Sequence, residues 1–257
     1  MLKQLGKRLI YFLRITGQIF IFFIETFSLL LRGKIRMKEL ARQVYELGVE
    51  AFPIISLTAL ATGMVLAVQA AVVLTRFGGR QYISRLVALA LVRELGPVLG
   101  SIIFVGKSGA RISAEIGAMS VNEQLLATRT LGINPMDLFT TSRVLACLIV
   151  LPILVFWSEV IGIFGGLVIS MFQENVTAFS YLNETYNSLR LVDFFGGMAK
   201  TLFFALVVGI ICCYKGFNAK GGSVGVGKYT TEAVALCTII IIVSNFILTK
   251  LIITLWG

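Results

Sequence analysis

The chain of 257 residues contains no histidine. That single absence removes histidine-ligated metals, Ser-His-Asp and Cys-His catalysis, and histidine-based pH switching. Charge is scarce too. Only 14% of residues are charged, against about a quarter in an ordinary soluble domain, while 57% are hydrophobic. Such a balance excludes a soluble globular enzyme and a disordered chain, and it points to a polytopic membrane protein. The four cysteines, Cys147, Cys212, Cys213 and Cys237, lie in apolar stretches with no CxxC spacing. They read as small core residues, with neither a disulfide framework nor a metal site expected. A spanning helix needs about 20 apolar residues, so the length allows about five or six spans and no large soluble domain besides.

The first apolar run, Leu9 to Leu31, has basic residues on both flanks: Lys3, Lys7 and Arg8 before it, Arg32, Lys34, Arg36, Lys38 and Arg42 after it. A span would leave one of these flanks outside, against the positive-inside rule. The run therefore reads as a helix lying in the cytoplasmic-side interface, with a true first span as the alternative. Residues 33–50 read as a second amphipathic segment. Five spans follow, at 51–75, 86–106, 144–172, 196–214 and 233–256. Between them, 107–143 and 215–232 are basic, whereas 173–195 is slightly acidic. The N-terminus is then inside and the C-terminus outside. Arg76, Arg80 and Arg85, in a short loop assigned to the outside, run against that orientation.

Some motifs carry nothing. Gly222-Ser-Val-Gly-Val-Gly-Lys228 is followed by Tyr229, where a phosphate-binding loop needs Ser or Thr, and no buried strand precedes it. It reads as a flexible glycine-rich turn. Gly106-Lys-Ser108-Gly-Ala110 falls short of a nucleophile elbow, with no histidine to activate Ser108. Asn175-Val-Thr177 and Asn183-Glu-Thr185 match the short glycosylation pattern, which matters only in a secretory protein.

The informative stretch is Arg93-Glu-Leu-Gly-Pro97 and then GKSGARISAEIGAMSVNEQLLATRTLGINP, from Gly106 to Pro135. Ile112, Ile116 and Met119 recur at helical spacing, with Glu115, Glu123 and Gln124 on the polar surface and Gly132 and Pro135 as stops. The pattern predicts an amphipathic cytoplasmic helix between two spans: an ordinary connector or a docking helix for a soluble partner. Within the bilayer, Glu94 stands out, because buried charge is costly and usually faces a cavity or a partner. Pro97 cannot donate to the Arg93 carbonyl, which favours a kink there. Candidate partners of Glu94 are the adjacent Arg93 and Lys200; snorkelling is the alternative for Lys200. Glu159 and Asn245 read as groups that hydrogen-bond across helices. Gln69, with Val65 and Leu66, is a weaker candidate for a cavity wall, and Gly63, Gly96 and Gly100 suit close helix packing.

These residues resemble the MlaE/YrbE family of permease subunits, found in ABC-type lipid transporters that work with MCE proteins. The likeness rests on Glu94-Leu-Gly-Pro97, Ala114-Glu-Ile-Gly-Ala-Met119, Glu123-Gln124, Gly132 and Pro135, and it covers essentially the whole chain. It implies one membrane permease domain over 1–257: an interfacial N-terminal region at 1–50, a coupling-helix region at 107–135 and an external loop at 173–195. The fold is then all-α, with five transmembrane helices, an N-terminal interfacial helix and a cytoplasmic coupling helix. It further implies a homodimer, two cytoplasmic ABC ATPase subunits docked around Ser113 to Thr130, and an MCE-domain protein on the outer side. The substrate is a phospholipid or related lipid moved between membranes. No cofactor is implied in this chain; ATP is bound by the partner subunit. The compartment is the cell inner membrane, or a plastid envelope. Some relatives carry an acid near position 245, so Asn245 departs from the pattern.

Expected site residues follow. Glu94, Lys200, Arg93, Gln69 and Asn245 line or gate the lipid cavity. Glu115, Met119, Glu123, Gln124 and Arg129 carry ATPase coupling. A non-transporting membrane scaffold that recruits a cytoplasmic partner is the competing class, predicting no bound lipid. An intramembrane enzyme lacks a nucleophile–base pair.

Overall fold

The computed structural model describes residues 2–31, 36–174 and 176–256. Arg32 and Lys34 of the basic flank, and Asn175 of the first sequon, lie outside the described residues. Among the described residues the chain is helical and contains no strand. The helices are α1 (Leu2–Leu31), α2 (Met37–Leu74), α3 (Ile83–Ala90), α4 (Gly96–Phe104), α5 (Ala110–Val121), α6 (Gln124–Thr130), α7 (Thr141–Glu174), α8 (Ala178–Ser188), α9 (Leu191–Phe217) and α10 (Gly222–Trp256). Five stretches are long and apolar enough to cross a membrane: Met37–Leu74, Ile83–Val121, Met136–Phe172, Leu191–Phe217 and Gly222–Leu255. The chain is an all-α polytopic membrane protein with the five spans expected.

Their boundaries differ from the hydropathy reading, mostly by extension at the N-terminal ends. The second amphipathic segment and the first span are one helix, α2, of 38 residues. At about 1.5 Å per residue it is about 57 Å long, far beyond a hydrocarbon core of about 30 Å. Pro53 sits inside it without ending it. The second span runs from Ile83 to Val121 through two π-helical turns, Leu91–Leu95 and Val105–Gly109. The expected connecting helix is therefore mostly the end of span two. The only separate piece is α6, set off by Glu123 in the left-handed conformation at φ 59°. Likewise the glycine-rich turn at 215–232 shrinks to residues 218–221, and Gly222 to Lys228 form the first turns of α10. Helix continues wherever backbone groups can satisfy one another, whatever the side chains do at its ends.

The bundle holds together by close packing, since lipid is as apolar as the residues it would expose. Along α2, the small face Gly63, Ala67, Ala70 and Ala71 is buried. A Cβ on Gly63 would stand 1.8 Å from the carbonyl oxygen of Gly162 on α7, so only glycine permits that approach. Deeper in, Phe104, Leu151, Phe204, Ile112, Ile116 and Ile241 are fully buried. The four cysteines are buried and free, as read from their apolar setting.

Helix α1 packs at the end of the bundle that carries α6. Phe22 meets Tyr214 and Phe217 edge-on, with ring centroids 5.7 Å apart in both pairs, and Tyr214 donates to Gln18 Oε1 at 2.8 Å. The opposite end carries α8, which buries Tyr181, Thr185 and Ser188.

Candidate functional site

Local sequence sets the site. Pro97 has no amide hydrogen, so the Arg93 carbonyl four residues earlier loses its helical donor. The turn Leu91–Leu95 is wound as a π-helix, a form concentrated at functional positions. Both charges of the apolar run 86–106 fall in this turn, but they point to different partners.

Glu94 joins Lys200 of α9. The Lys200 ammonium donates to Glu94 Oε1 at 2.9 Å, to Thr249 Oγ1 at 2.7 Å and to the Arg93 carbonyl oxygen at 2.8 Å. All three of its donors are spent, one of them on the carbonyl that Pro97 leaves free. Its side chain is 3% exposed, so Lys200 is a buried charge, and the snorkelling alternative does not hold. Glu94 collects further donors from α10: Asn245 Nδ2 reaches Oε2 at 2.8 Å, and Thr249 Oγ1 reaches Oε1 at 2.9 Å. A buried charge persists when paired and hydrogen-bonded, and Lys200 is both, while the Glu94 side chain stays 37% exposed.

Arg93, expected beside Glu94, turns away. Its Nη2 lies 2.7 Å from Asp193 Oδ1 at the start of α9. Asp193 also accepts from the backbone amide of Arg190 at 3.2 Å, closing the N-terminus of α9. Neighbouring residues on a helix point about 100° apart, so Arg93 and Glu94 cannot serve one another.

The two pairs border an open cleft of about 240 Å³. Arg93, Arg190 and Lys200 supply positive charge, Glu94 and Asp193 negative charge, and Val192, Ile252 and Ile253 apolar wall. Gly197 makes the approach possible. A Cβ there would lie 2.6 Å from the Val92 carbonyl oxygen, so glycine lets α9 close onto span two and deliver Lys200 one turn later.

Not every expected residue joins. Gln69 is exposed on α2, away from this cleft, because α2 buries its Gly63–Ala67–Ala70 face against α7 and leaves position 69 outward. Glu159, expected to bond across helices, is 4% exposed and has no hydrogen bond or ion pair among the described residues. It stands next to Gly96, where a Cβ would lie 2.8 Å from its Cγ. Thr249 and Asp193 belong to the site and were not foreseen. Thr249 could have been found one turn after Asn245, on the same face of α10. Asp193 was counted only as loop charge.

The coupling residues divide as well. Glu115 faces inward, with Oε1 2.7 Å from Arg111 Nε and Oε2 3.0 Å from Arg143 Nη2. Met119 packs half-buried against the core. Glu123, Gln124 and Arg129 are exposed around α6.

A 33% identical relative, the "Intermembrane phospholipid transport system permease protein MlaE" of Haemophilus influenzae, is matched over 97% of this chain and 96% of that one. A "Probable ABC transporter permease protein" of Rickettsia typhi is 35% identical over 96% and 95% of the two chains. One of the same description from Synechocystis is 36% identical over 95% and 90%. The family described as Permease MlaE matches residues 40–251. Matched by this family over residues 40–251 and at 33–36% identity by relatives over nearly its whole length, the chain belongs to the MlaE permease family.

Proposed function

We propose that this chain is the membrane permease of an ABC-type transporter that moves phospholipids or related lipids between membranes. The observation that carries this reading is the Lys200–Glu94 pair, a buried lysine held by a half-exposed carboxylate, beside a cleft with cationic and apolar walls. An anionic headgroup is attracted by the exposed Arg93 and Arg190, while acyl chains are accommodated by the aliphatic wall. Lys200, its donors spent on Glu94, Thr249 and the Arg93 carbonyl, holds the wall of the cleft together.

Energy comes from outside the chain. Gly222 to Lys228 is helical, a shape that cannot wrap a nucleotide phosphate, so ATP is bound by a separate ATPase subunit. The exposed α6, with Gln124 and Arg129, is the docking element for that subunit. The α6 end is cytoplasmic and the α8 end outside, as the loop charges favour. The relatives' names support the ATPase and the lipid. The dimer contact is assigned to α10, the least buried of the five spans, through Ile239, Ile242, Val243 and Phe246. An MCE-domain protein at the outer side and an inner-membrane location complete the reading.

The test is purification of the tagged chain in mild detergent, with mass spectrometry of bound lipid and protein. The expected result is co-purified phospholipid and an ABC ATPase near one copy per permease, with lipid occupancy falling at least severalfold in Lys200→Met. Recovery of a stable, lipid-free chain without an ATPase would overturn the proposal in favour of a scaffold.

A further inference from the structure

A second set of charges ties three spans together at the α6 end. Arg111, in the first turn of α5, donates through Nε to Glu115 Oε1 at 2.7 Å, through Nη2 to Glu46 Oε2 at 2.8 Å, and through Nη1 to Glu50 Oε1. Lys107 Nζ lies 3.9 Å from Glu50 Oε2. Glu115 Oε2 passes the connection to Arg143 at 3.0 Å, and Arg143 also donates to the Phe139 carbonyl at 2.9 Å. One guanidinium thus spends all three nitrogens on carboxylates of α2 and α5, and Glu115 extends the link to α7.

The location gives this network leverage. Helix α5 has a joint at each end: the π-helical turn Val105–Gly109 and the left-handed Glu123. On one face α5 is packed, with Ile112 and Ile116 fully buried and Ser120 Oγ donating to the Phe217 carbonyl at 3.2 Å. Its other face is tied to α2 and α7 by Arg111 and Glu115. Packing resists sliding, whereas ion pairs can exchange partners in discrete steps. Arg143 has a donor left to give to a carboxylate: its Nε is buried without a partner among the described residues. Beyond the π-helical turn, α4 leads directly to the turn that holds Glu94.

We propose that Arg111 is a positioning residue that relays displacement of α6 to the Glu94–Lys200 site, by redistributing its bonds among Glu46, Glu50 and Glu115 as α5 moves. This rests on the ABC-transporter reading. It also reassigns Glu115, which acts within the permease as one arm of the relay, not as a contact with the ATPase.

The experiment uses the intact permease–ATPase complex in proteoliposomes, with a fluorescent phospholipid exchanged between donor and acceptor vesicles while ATP turnover is recorded. Arg111→Gln is expected to co-purify with the ATPase at the wild-type ratio and to hydrolyse ATP, but to consume about tenfold more ATP per lipid moved. Glu50→Gln, which removes one half-exposed arm, shifts that ratio about threefold in the same direction. A purely structural arginine would lower the amount of complex and leave the ratio alone. An unchanged ratio in Arg111→Gln overturns the relay. If that variant does not assemble, the ratio in Glu50→Gln decides alone. A wild-type complex that hydrolyses ATP but moves no lipid overturns the transporter reading itself, and the relay with it.

Discussion

Lys200 donates to the main-chain carbonyl of Arg93 at 2.8 Å. The proline that breaks one helix thereby creates the acceptor that seats a buried cation from another. The ammonium, Glu94 and Thr249 form a closed set in which each member needs the others. Lys200→Met leaves the Glu94 carboxylate and the Arg93 carbonyl short of a donor. Losing charge-assisted bonds costs about 2–3 kcal/mol, so thermal unfolding in detergent is expected several degrees lower. Adding Glu94→Gln is expected to recover part of that loss, because contacting residues are not additive. Independent, additive effects would show that the two side chains do not interact.

Pro97→Ala tests the origin of the site. An alanine amide can donate to the Arg93 carbonyl and compete with Lys200. The helix itself gains, since proline in a helix interior costs about 3 kcal/mol. The expected outcome is equal or higher thermal stability together with weaker lipid retention, read by mass spectrometry of the purified chain. Stability and retention falling together would mean that Pro97 matters for packing alone.

The fold was legible where composition speaks. Fifty-seven per cent hydrophobic residues and five uncharged or nearly uncharged runs predict five spans. Helix ends were not, because polar residues continue a helix as readily as they end it: α2 begins at Met37, fourteen residues before the uncharged run at Ala51. The Glu94–Lys200 pair was legible because charge in lipid demands a partner and the candidates were few. Arg93 was misjudged by treating sequence adjacency as spatial adjacency. Thr249 was overlooked because a threonine in a span usually bonds back to its own helix, as Thr58 and Thr62 do here. Its place one turn after Asn245, on the same face of α10, was the available signal.

Gly197→Ala tests whether the approach of α9 is needed for the pair. The added methyl would meet the Val92 carbonyl oxygen at 2.6 Å. Overpacking of this kind costs about 1–3 kcal/mol, and the strain relaxes by moving α9 outward. Lys200 then sits farther from Glu94, so lipid retention is expected to fall along with the unfolding temperature. In the background of Lys200→Met, the same change should affect stability but add little to the lipid defect. A full additional lipid defect would mean that Gly197 shapes the cleft by a route other than the pair.

Glu123 separates backbone from side-chain function at the joint between α5 and α6. It is the non-glycine residue with positive φ among those described, at 59°. A single residue held in this region costs on the order of 1 kcal/mol, which glycine avoids. Glu123→Gly is therefore expected to leave the unfolding temperature unchanged or slightly higher. The side chain is exposed, so its loss removes no internal support. If Glu123 contacts the ATPase, the variant will bind that subunit more weakly in detergent, by about 1–2 kcal/mol or roughly five- to thirtyfold. Glu123→Ala then supplies the contrast: it loses the same side chain but keeps the strained conformation. Equal weakening in both variants assigns the effect to the carboxylate. Weakening in glycine alone assigns it to the stiffness of the joint, and unchanged binding in both removes Glu123 from the docking surface.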